Sequence, residues 1–432
     1  ILCFEADAAT LEARVNRAPG TRPLLAETTA AHLLDLRAPH YASFPRRLAV
    51  SDAPPQETAD RAQAAFGRYR VSGMGPAYDI RVGDGLLDAA GPAFRELGCG
   101  DRTVIVGDTR TIPLYGKRVA ASLRALGVTV SLATIPAGEA TKTIDTVSTL
   151  WSAFLRAGIE RGNAVIALGG GVVGDLTGFA AATWLRGVRW IGLPTTLLAM
   201  VDSGLGGKTG ADLPAGKNLI GAFHPPARVL ADTATLATLP AGELRCGLAE
   251  AIKHAIIGDP GLLDTLHRFA FCKIVAATAP CSTLAGTDWL APFVARAMGV
   301  KVRVIQQDPF EKGFRAALNL GHTIGHGIEQ ATDFKVRHGE GVAIGTVLEA
   351  RIAEALDLAP EGLADRIAGR FSAVGLPTAL PAGTDCGAVR KAMALDKKKA
   401  GGKVRFALPA AFGDIRTGVT VEPAVLDRVL SS

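Results

Sequence analysis

What the chain lacks narrows it first. None of the six cysteines, Cys3, Cys99, Cys246, Cys272, Cys281 and Cys386, stands in a Cys-x-x-Cys pair. That argues against a thiolate zinc site or a disulfide framework and points to reduced thiols in a cytoplasm. No run of eighteen apolar residues is present, so no membrane-spanning helix is predicted, and no signal-peptide pattern opens the sequence. Lysine and arginine total 47 against 41 acidic residues, a net charge of +6. They are scattered, apart from Lys397-Lys398-Lys399, and form no basic stripe interleaved with aromatics. Nucleic acid is therefore not an expected partner, whereas small anionic substrates are. Also absent is any Gly-x-x-x-x-Gly-Lys-Ser/Thr phosphate loop. The sequence begins at Ile1 without Met, inside the strand-like Ile1-Leu2-Cys3-Phe4, and is expected to lack its N-terminal part.

What is present suits a large folded protein. Hydrophobic residues make up 48% and charged residues 20% of 432, enough apolar content for a sizeable core. At about 150 residues per domain, two or three domains are expected. Residues 1–65 read as a small αβ segment, with a helix from Ala9 to Val15, an arginine-bearing loop, a second helix and a strand Arg47 to Val50. Residues 66–77, with glycines and a proline, read as a linker. From Tyr78 to about 240, apolar strands alternate with helical segments, the βαβ rhythm of a mainly parallel sheet covered by helices. Helical periodicity takes over from Ala241, so residues 241–432 read as a second, helical domain, closing with a strand-like stretch from Lys403 to Leu408.

Chemistry-bearing residues gather at a few places. The apolar strand ending at Leu168 runs straight into Gly169-Gly170-Gly171-Val172-Val173-Gly174-Asp175 and then a helix. Glycines in that context let a backbone approach a pyrophosphate at a helix N-terminus. Asp108, at the end of an earlier strand, suits ribose hydroxyls, although a turn or helix cap would use it equally well. Two lysines, an aspartate and an asparagine (Lys208, Lys217, Asp202, Asn218) sit among glycines between residues 202 and 218, which reads as glycine loops around a phosphate and polyol site. Glu250 and Lys253, three apart, share a helix face; the plainer reading is a surface ion pair worth little. The densest stretch is Asn319 to Glu340. His322 and His326 lie four apart on one helix face, and His338-Gly339-Glu340 follows. Taken by themselves, the three histidines with a nearby carboxylate make a divalent-metal pocket.

From Tyr78 onward the chain resembles the 3-dehydroquinate synthase family of sugar phosphate cyclases. The matching runs, in order, are Gly169 to Asp175, Pro194-Thr195-Thr196-Leu197-Leu198, Gly206-Gly207-Lys208-Thr209-Gly210, Gly216-Lys217-Asn218-Leu219-Ile220-Gly221, Ala249 to Lys253, Asn319 to Thr323, His338-Gly339-Glu340 and Asp396-Lys397-Lys398. The resemblance implies an NAD-binding parallel-sheet α/β domain over 78–240, followed by a helical metal-binding domain over 241–432, with the site between them. It implies NAD, one zinc or cobalt ion, and a homodimer. Glu250, His322 and His338 resemble the family's metal ligands, and the resemblance implies that His326 is turned toward substrate instead. The NAD contacts implied are Asp108, Glu139, Lys142, Gly170, Gly171, Val172, Asp175, Thr195, Thr196, Lys208, Lys217, Thr235 and Thr238. Those to substrate are Asp202, Lys208, Asn218, Lys253, Lys301, Arg315, Asn319, His326 and Lys397 or Lys398, with Arg186 reaching the partner's site. The implied reaction turns 3-deoxy-D-arabino-heptulosonate 7-phosphate into 3-dehydroquinate and phosphate by transient oxidation, elimination, re-reduction and aldol closure. Two rivals share these features: a cyclase making another carbocycle, and an NAD- and metal-dependent polyol dehydrogenase.

Residues 1–65 resemble the C-terminal part of shikimate kinase. Arg22, in Arg22-Pro23-Leu24-Leu25, matches the lid arginine, and Arg37, before Pro39 and Tyr41, matches the arginine that grips the shikimate carboxylate. A kinase remnant fused to the synthase is the expectation, inactive because the phosphate loop is missing.

Overall fold

The computed structural model describes residues 2–17, 25, 28–51, 54–214, 216–273, 278–397 and 404–431. Arg22, Lys398 and Lys403 lie outside the described residues, as does the side chain of Lys397. Two compact units divide the chain, Ile1–Arg68 and Tyr69–Ser432.

In the first unit, strands β1 (Cys3–Glu5) and β2 (Arg47–Ala49) pair in parallel. Among the described residues, helices α1 (Ala8–Arg17), α2 (Ala30–Ala42) and α3 (Pro55–Phe66) accompany them. The Thr29 hydroxyl caps α2 by accepting from the His32 amide. Arg37 is exposed on α2.

The second unit holds a seven-stranded sheet. Its strands are β3 (Arg68–Val71), β4 (Tyr78–Gly83), β5 (Arg102–Asp108), β6 (Thr129–Ile135), β7 (Ala164–Gly169), β8 (Arg189–Pro194) and, after a separate hairpin, β11 (Arg228–Asp232). They lie in the order 3-4-11-8-7-5-6, and every pairing from β4 to β6 is parallel. Helices α4 (Ala90–Glu96), α5 (Lys117–Arg124), α6 (Ile144–Arg156) and α7 (Gly171–Thr183) fill the crossovers. The uninterrupted apolar strands are explained by burial of both faces. In β5, Ile105 enters one core, with Phe94, Ile166 and Leu230, while Val104 and Val106 enter the other, with Phe154, Val165 and Trp190.

Two stretches differ from their reading in the sequence. The supposed linker at 66–77 contributes β3, an edge strand whose Tyr69 and Val71 point inward. Four residues give too little alternation to be seen beside Gly73 and Gly75; a distant contact holds them, the Tyr69 hydroxyl donating to the Ala295 carbonyl at 2.6 Å. The supposed glycine loops at 202–218 give way to an antiparallel hairpin of β9 (Lys208–Leu213) and β10 (Gly216–Phe223). Gly210 and Gly221 face each other across it, and a Cβ on either would strike the opposite backbone. These glycines serve close strand approach, not turning.

Beyond residue 240 helices dominate: α8 (Ala241–Gly258), α9 (Leu290–Gln307), α10 (His322–Ala331), α11 (His338–Ala355), α12 (Leu363–Ala373), α13 (Cys386–Lys397) and α14 (Pro423–Leu430). An antiparallel pair, β12 (Phe406–Ala411) and β13 (Asp414–Val419), packs with α10, α11 and α13 around Ile324, Ile344, Leu348 and Met393.

Candidate metal and cofactor site

Helix α8 is buried almost all round, the pattern of a central helix. Its charged residues are therefore costly unless they serve something. Glu250 and Lys253 are 0% and 1% exposed in their side chains and in contact with each other, so the surface ion pair expected from spacing alone is in fact internal. Helices α10 and α11 bring the histidines to Glu250. Each begins at a histidine, His322 and His338 respectively. The two helices cross on a glycine seam. A Cβ on Gly345 would collide with the Gly321 carbonyl, and one on Gly325 would lie 2.8 Å from the Gly341 carbonyl. Gly321 itself has φ +79° and offers no side-chain cap. Instead the buried Glu349 carboxyl group on α11, whose pKa burial raises to about 8, accepts from the amides of Gly321 at 2.5 Å and Ile324 at 3.5 Å. Glu349→Ala is expected to cost about 1–2 kcal/mol, the scale of a lost helix cap. Urea unfolding of the metal-free protein measures this, and an unchanged midpoint would count against the cap.

The ligand atoms converge. Nε2 of His322 and Nε2 of His338 each lie 3.5 Å from the same Glu250 Oε1. Atoms bound at about 2.1 Å around a tetrahedral ion sit roughly 3.4 Å apart. The far nitrogens are already committed: His322 Nδ1 is 3.1 Å from the Leu320 carbonyl and His338 Nδ1 is 2.9 Å from Glu329 Oε1. With a metal bound, each imidazole would donate outward through Nδ1 and leave Nε2 to face the ion. Both Glu250 oxygens are buried without a well-formed hydrogen bond. A borderline divalent ion such as zinc fits this two-nitrogen, one-carboxylate set.

The electrostatics follow from burial around that carboxylate. Glu250 is resisted by burial, yet Lys253 and His322 hold it well below the usual carboxylate range. Burial and the Lys253 charge push His322 down. Burial opposes charging of His338 too, but the adjoining Glu250 and Glu329 carboxylates outweigh it and raise its pKa to about 10. Asp202 joins from the sheet side. Lys301 lies 2.6 Å from its Oδ1 and 2.8 Å from its carbonyl. Fully buried His254 sits 3.9 Å from the same oxygen, and burial keeps it neutral, with a pKa of about 4.

The remaining anion-binding candidates line the approach. Lys208, at the start of β9, pairs with Glu311, which also accepts from Asn319 at 3.1 Å. Arg315 is buried and donates to the Pro309 carbonyl. His326 is exposed, its ring 5.2 Å from that of His322 and 5.8 Å from that of His338. It shares the helix face that its spacing predicts, but both His338 nitrogens are already engaged with Glu250 and Glu329.

The cofactor candidates lie beyond the carboxyl ends of the parallel strands, where open α/β sheets bind ligands. Asp108 ends β5, Gly170 and Gly171 follow β7, and Thr195 and Thr196 follow β8. Thr235 and Thr238 follow β11, with Thr235 Oγ1 reaching the Thr195 carbonyl at 3.4 Å. A small cleft runs along Gly169, Gly170, Gly171, Pro194 and Ser203. A Cβ on Gly171 would come within 2.8 Å of Ser203 Oγ, so the backbone cradle depends on glycine. Val172 stands in the first turn of α7 beside it. Asp108 also caps its own turn, accepting from the Thr111 amide at 2.7 Å. Buried Lys142 pairs with Asp175 at 2.6 Å and donates to Asn218 Oδ1 at 2.5 Å. Asn218, assigned to substrate by resemblance, thus sits with the cofactor group in this state. Lys217 lies 3.6 Å from both Glu139 and Glu329. Arg186 is exposed on a turn with left-handed backbone at Leu185 and Arg186.

Four residues escaped the sequence reading: Glu329, Glu311, His254 and Glu349. Glu329 had a usable signal, since it follows His322 by seven residues on one helix face. Glu311 lies in an irregular loop where no periodicity could mark it.

The family model described as 3-dehydroquinate synthase N-terminal matches residues 132–246, and the one described as 3-dehydroquinate synthase C-terminal matches 247–399. A 3-dehydroquinate synthase of Synechococcus sp. is 44% identical over 359 residues, covering 82% of this chain and 96% of the relative. Among solved structures, a 2-epi-5-epi-valiolone synthase from Streptomyces hygroscopicus with NAD+ and Zn2+ bound is 30% identical at a TM-score of 0.74, covering 84% of this chain and 98% of its own. A 2-deoxy-scyllo-inosose synthase complexed with carbaglucose-6-phosphate, NAD+ and Co2+ is 25% identical, also at 0.74, covering 84% and 99%.

Proposed function

This chain belongs to the 3-dehydroquinate synthase family, and from that premise we propose that it converts 3-deoxy-D-arabino-heptulosonate 7-phosphate to 3-dehydroquinate and phosphate. The observation that carries the reading is the convergence of Glu250, His322 and His338 beside cationic side chains and at the carboxyl ends of the strands. When bound, a zinc or cobalt ion would supply Lewis acidity for an alcohol and NAD would accept and return a hydride.

The chain's own residues do the rest. Glu250, His322 and His338 hold the ion. Gly170, Gly171, Val172, Asp108, Glu139, Thr195, Thr196, Thr235, Thr238 and the Lys142–Asp175 pair seat NAD, with Lys217 and Lys208 beside it. Lys253, Lys301 and Arg315 are buried cations that hold carboxylate and phosphate, and Asp202 fixes Lys301. Glu311 occupies Lys208 and Asn319 in this state; an incoming anion takes its place as their partner. His326, at the rim, exchanges protons with substrate. Asn218 and Lys397 or Lys398 complete the substrate contacts, and Arg186 extends to the site of a partner in a cytoplasmic homodimer. Residues 1–65, with Arg22 and Arg37, read as a shikimate kinase remnant.

The rival cyclases are less similar, at 25–30% identity against 44% for the synthase. A polyol dehydrogenase has no need of so many anion-binding lysines. Purified protein with NAD, zinc and substrate should release phosphate with no net NADH. Steady NADH accumulation would indicate a dehydrogenase, and absence of phosphate release would sink the synthase assignment.

A further inference from the structure

We propose that Glu329 is a positioning residue that fixes the tautomer and aim of the metal ligand His338 and ties it to Lys217 on the cofactor side. The inference rests on the metal site proposed above and adds a residue to it. Glu329 is a carboxylate with a side chain only 5% exposed, an expensive placement unless its oxygens are used. Both are. Oε1 lies 2.9 Å from His338 Nδ1, and Oε2 lies 3.6 Å from Lys217 Nζ.

His326, Glu329 and His338 also lie close enough to suggest a second metal triad. Two features argue against it. At 2.9 Å the contact is a hydrogen bond, shorter than the roughly 3.4 Å between two donors sharing one tetrahedral ion. And His338 Nε2 converges with His322 Nε2 on a single Glu250 oxygen, which leaves Nδ1 to carry the proton. A carboxylate accepting that proton locks the ring plane and makes Nε2 the better donor to a metal. The packing makes room for the arrangement. Gly341, on α11, faces Glu329, and a Cβ there would come within 3.4 Å of its Cγ and 3.5 Å of Oε1. On the other side, Lys217 stands 4.4 Å above the Phe334 ring and 3.6 Å from Glu139. The carboxylate therefore joins the β10 strand to the helix start that carries a metal ligand.

The test uses the full chain, stripped of metal and titrated with zinc against a chromogenic chelator. Glu329→Ala should weaken zinc binding about 10- to 100-fold, while the unfolding midpoint of the metal-free protein changes little. Glu329→Gln keeps the volume and one acceptor oxygen, so it should fold even where alanine does not and lose an intermediate factor. In zinc-loaded, 15N-histidine-labelled protein, the His338 Nδ1–H signal, assigned with His338→Gln, should be protected in the parent and exchange rapidly in both Glu329 variants. Zinc affinity within twofold of the parent, with that signal unmoved, overturns the role. If the parent binds no stoichiometric zinc, or Glu250→Gln binds it equally well, the metal site itself fails and the positioning role falls with it.

Discussion

His322→Ala is expected to lose bound zinc and catalytic turnover together. Among the described residues, the proposed ligand set is Nε2 of His322 with Glu250 Oε1 and His338 Nε2, and removing one of three protein donors would leave two to hold the ion. The turnover loss should be at least about a thousandfold. Lewis-acid assistance supplies several kcal/mol of transition-state stabilisation, and each factor of ten is about 1.4 kcal/mol. The fold should persist, because His322 is the first residue of its helix and Glu349 holds the preceding turn. Metal analysis of the purified variant with a circular dichroism spectrum checks both halves. A variant that retains one zinc per chain and full turnover would refute the ligand assignment.

His326→Ala should separate the two properties that His322→Ala loses together. Turnover is expected to fall about 10²- to 10⁴-fold, the contribution of a positioned acid–base group, while zinc stays at one per chain. The reason is geometric. His326 shares a helix face with His322, so spacing alone makes it an equally good ligand. In the folded chain it is the most exposed of the three, at the rim, while Glu250 meets the other two rings. Loss of zinc from His326→Ala would return it to the ligand set and overturn this division of roles.

Much of the molecule was legible before folding. The apolar strand expected to end at Leu168 and the earlier one expected to end at Asp108 are found as β7 and β5, and a strand buried on both faces has to be apolar throughout. The strand–glycine–helix context of Gly169 to Asp175 is present as read, with α7 starting at Gly171. The change to helices at Ala241 was visible as a change of period.

Other features needed the third dimension. The β9–β10 hairpin escaped because its glycines serve strand contact, and glycine in a sequence signals freedom to turn more strongly than close approach. Edge strand β3 depends on Tyr69 meeting Ala295, more than two hundred residues away.

By itself the sequence determined what is periodic or adjacent along the chain: the parallel strands, the glycine cradle, the histidines one helical turn apart. Tertiary structure alone decided which of those histidines face a carboxylate. Glu250 comes from a helix about seventy residues earlier, and its burial, the crossing of α10 and α11 on glycines, and the grip of Glu329 on His338 are all contacts between separate helices. Spacing sets which face of a helix a side chain occupies; only packing sets what stands opposite that face, and a metal site is made of what stands opposite.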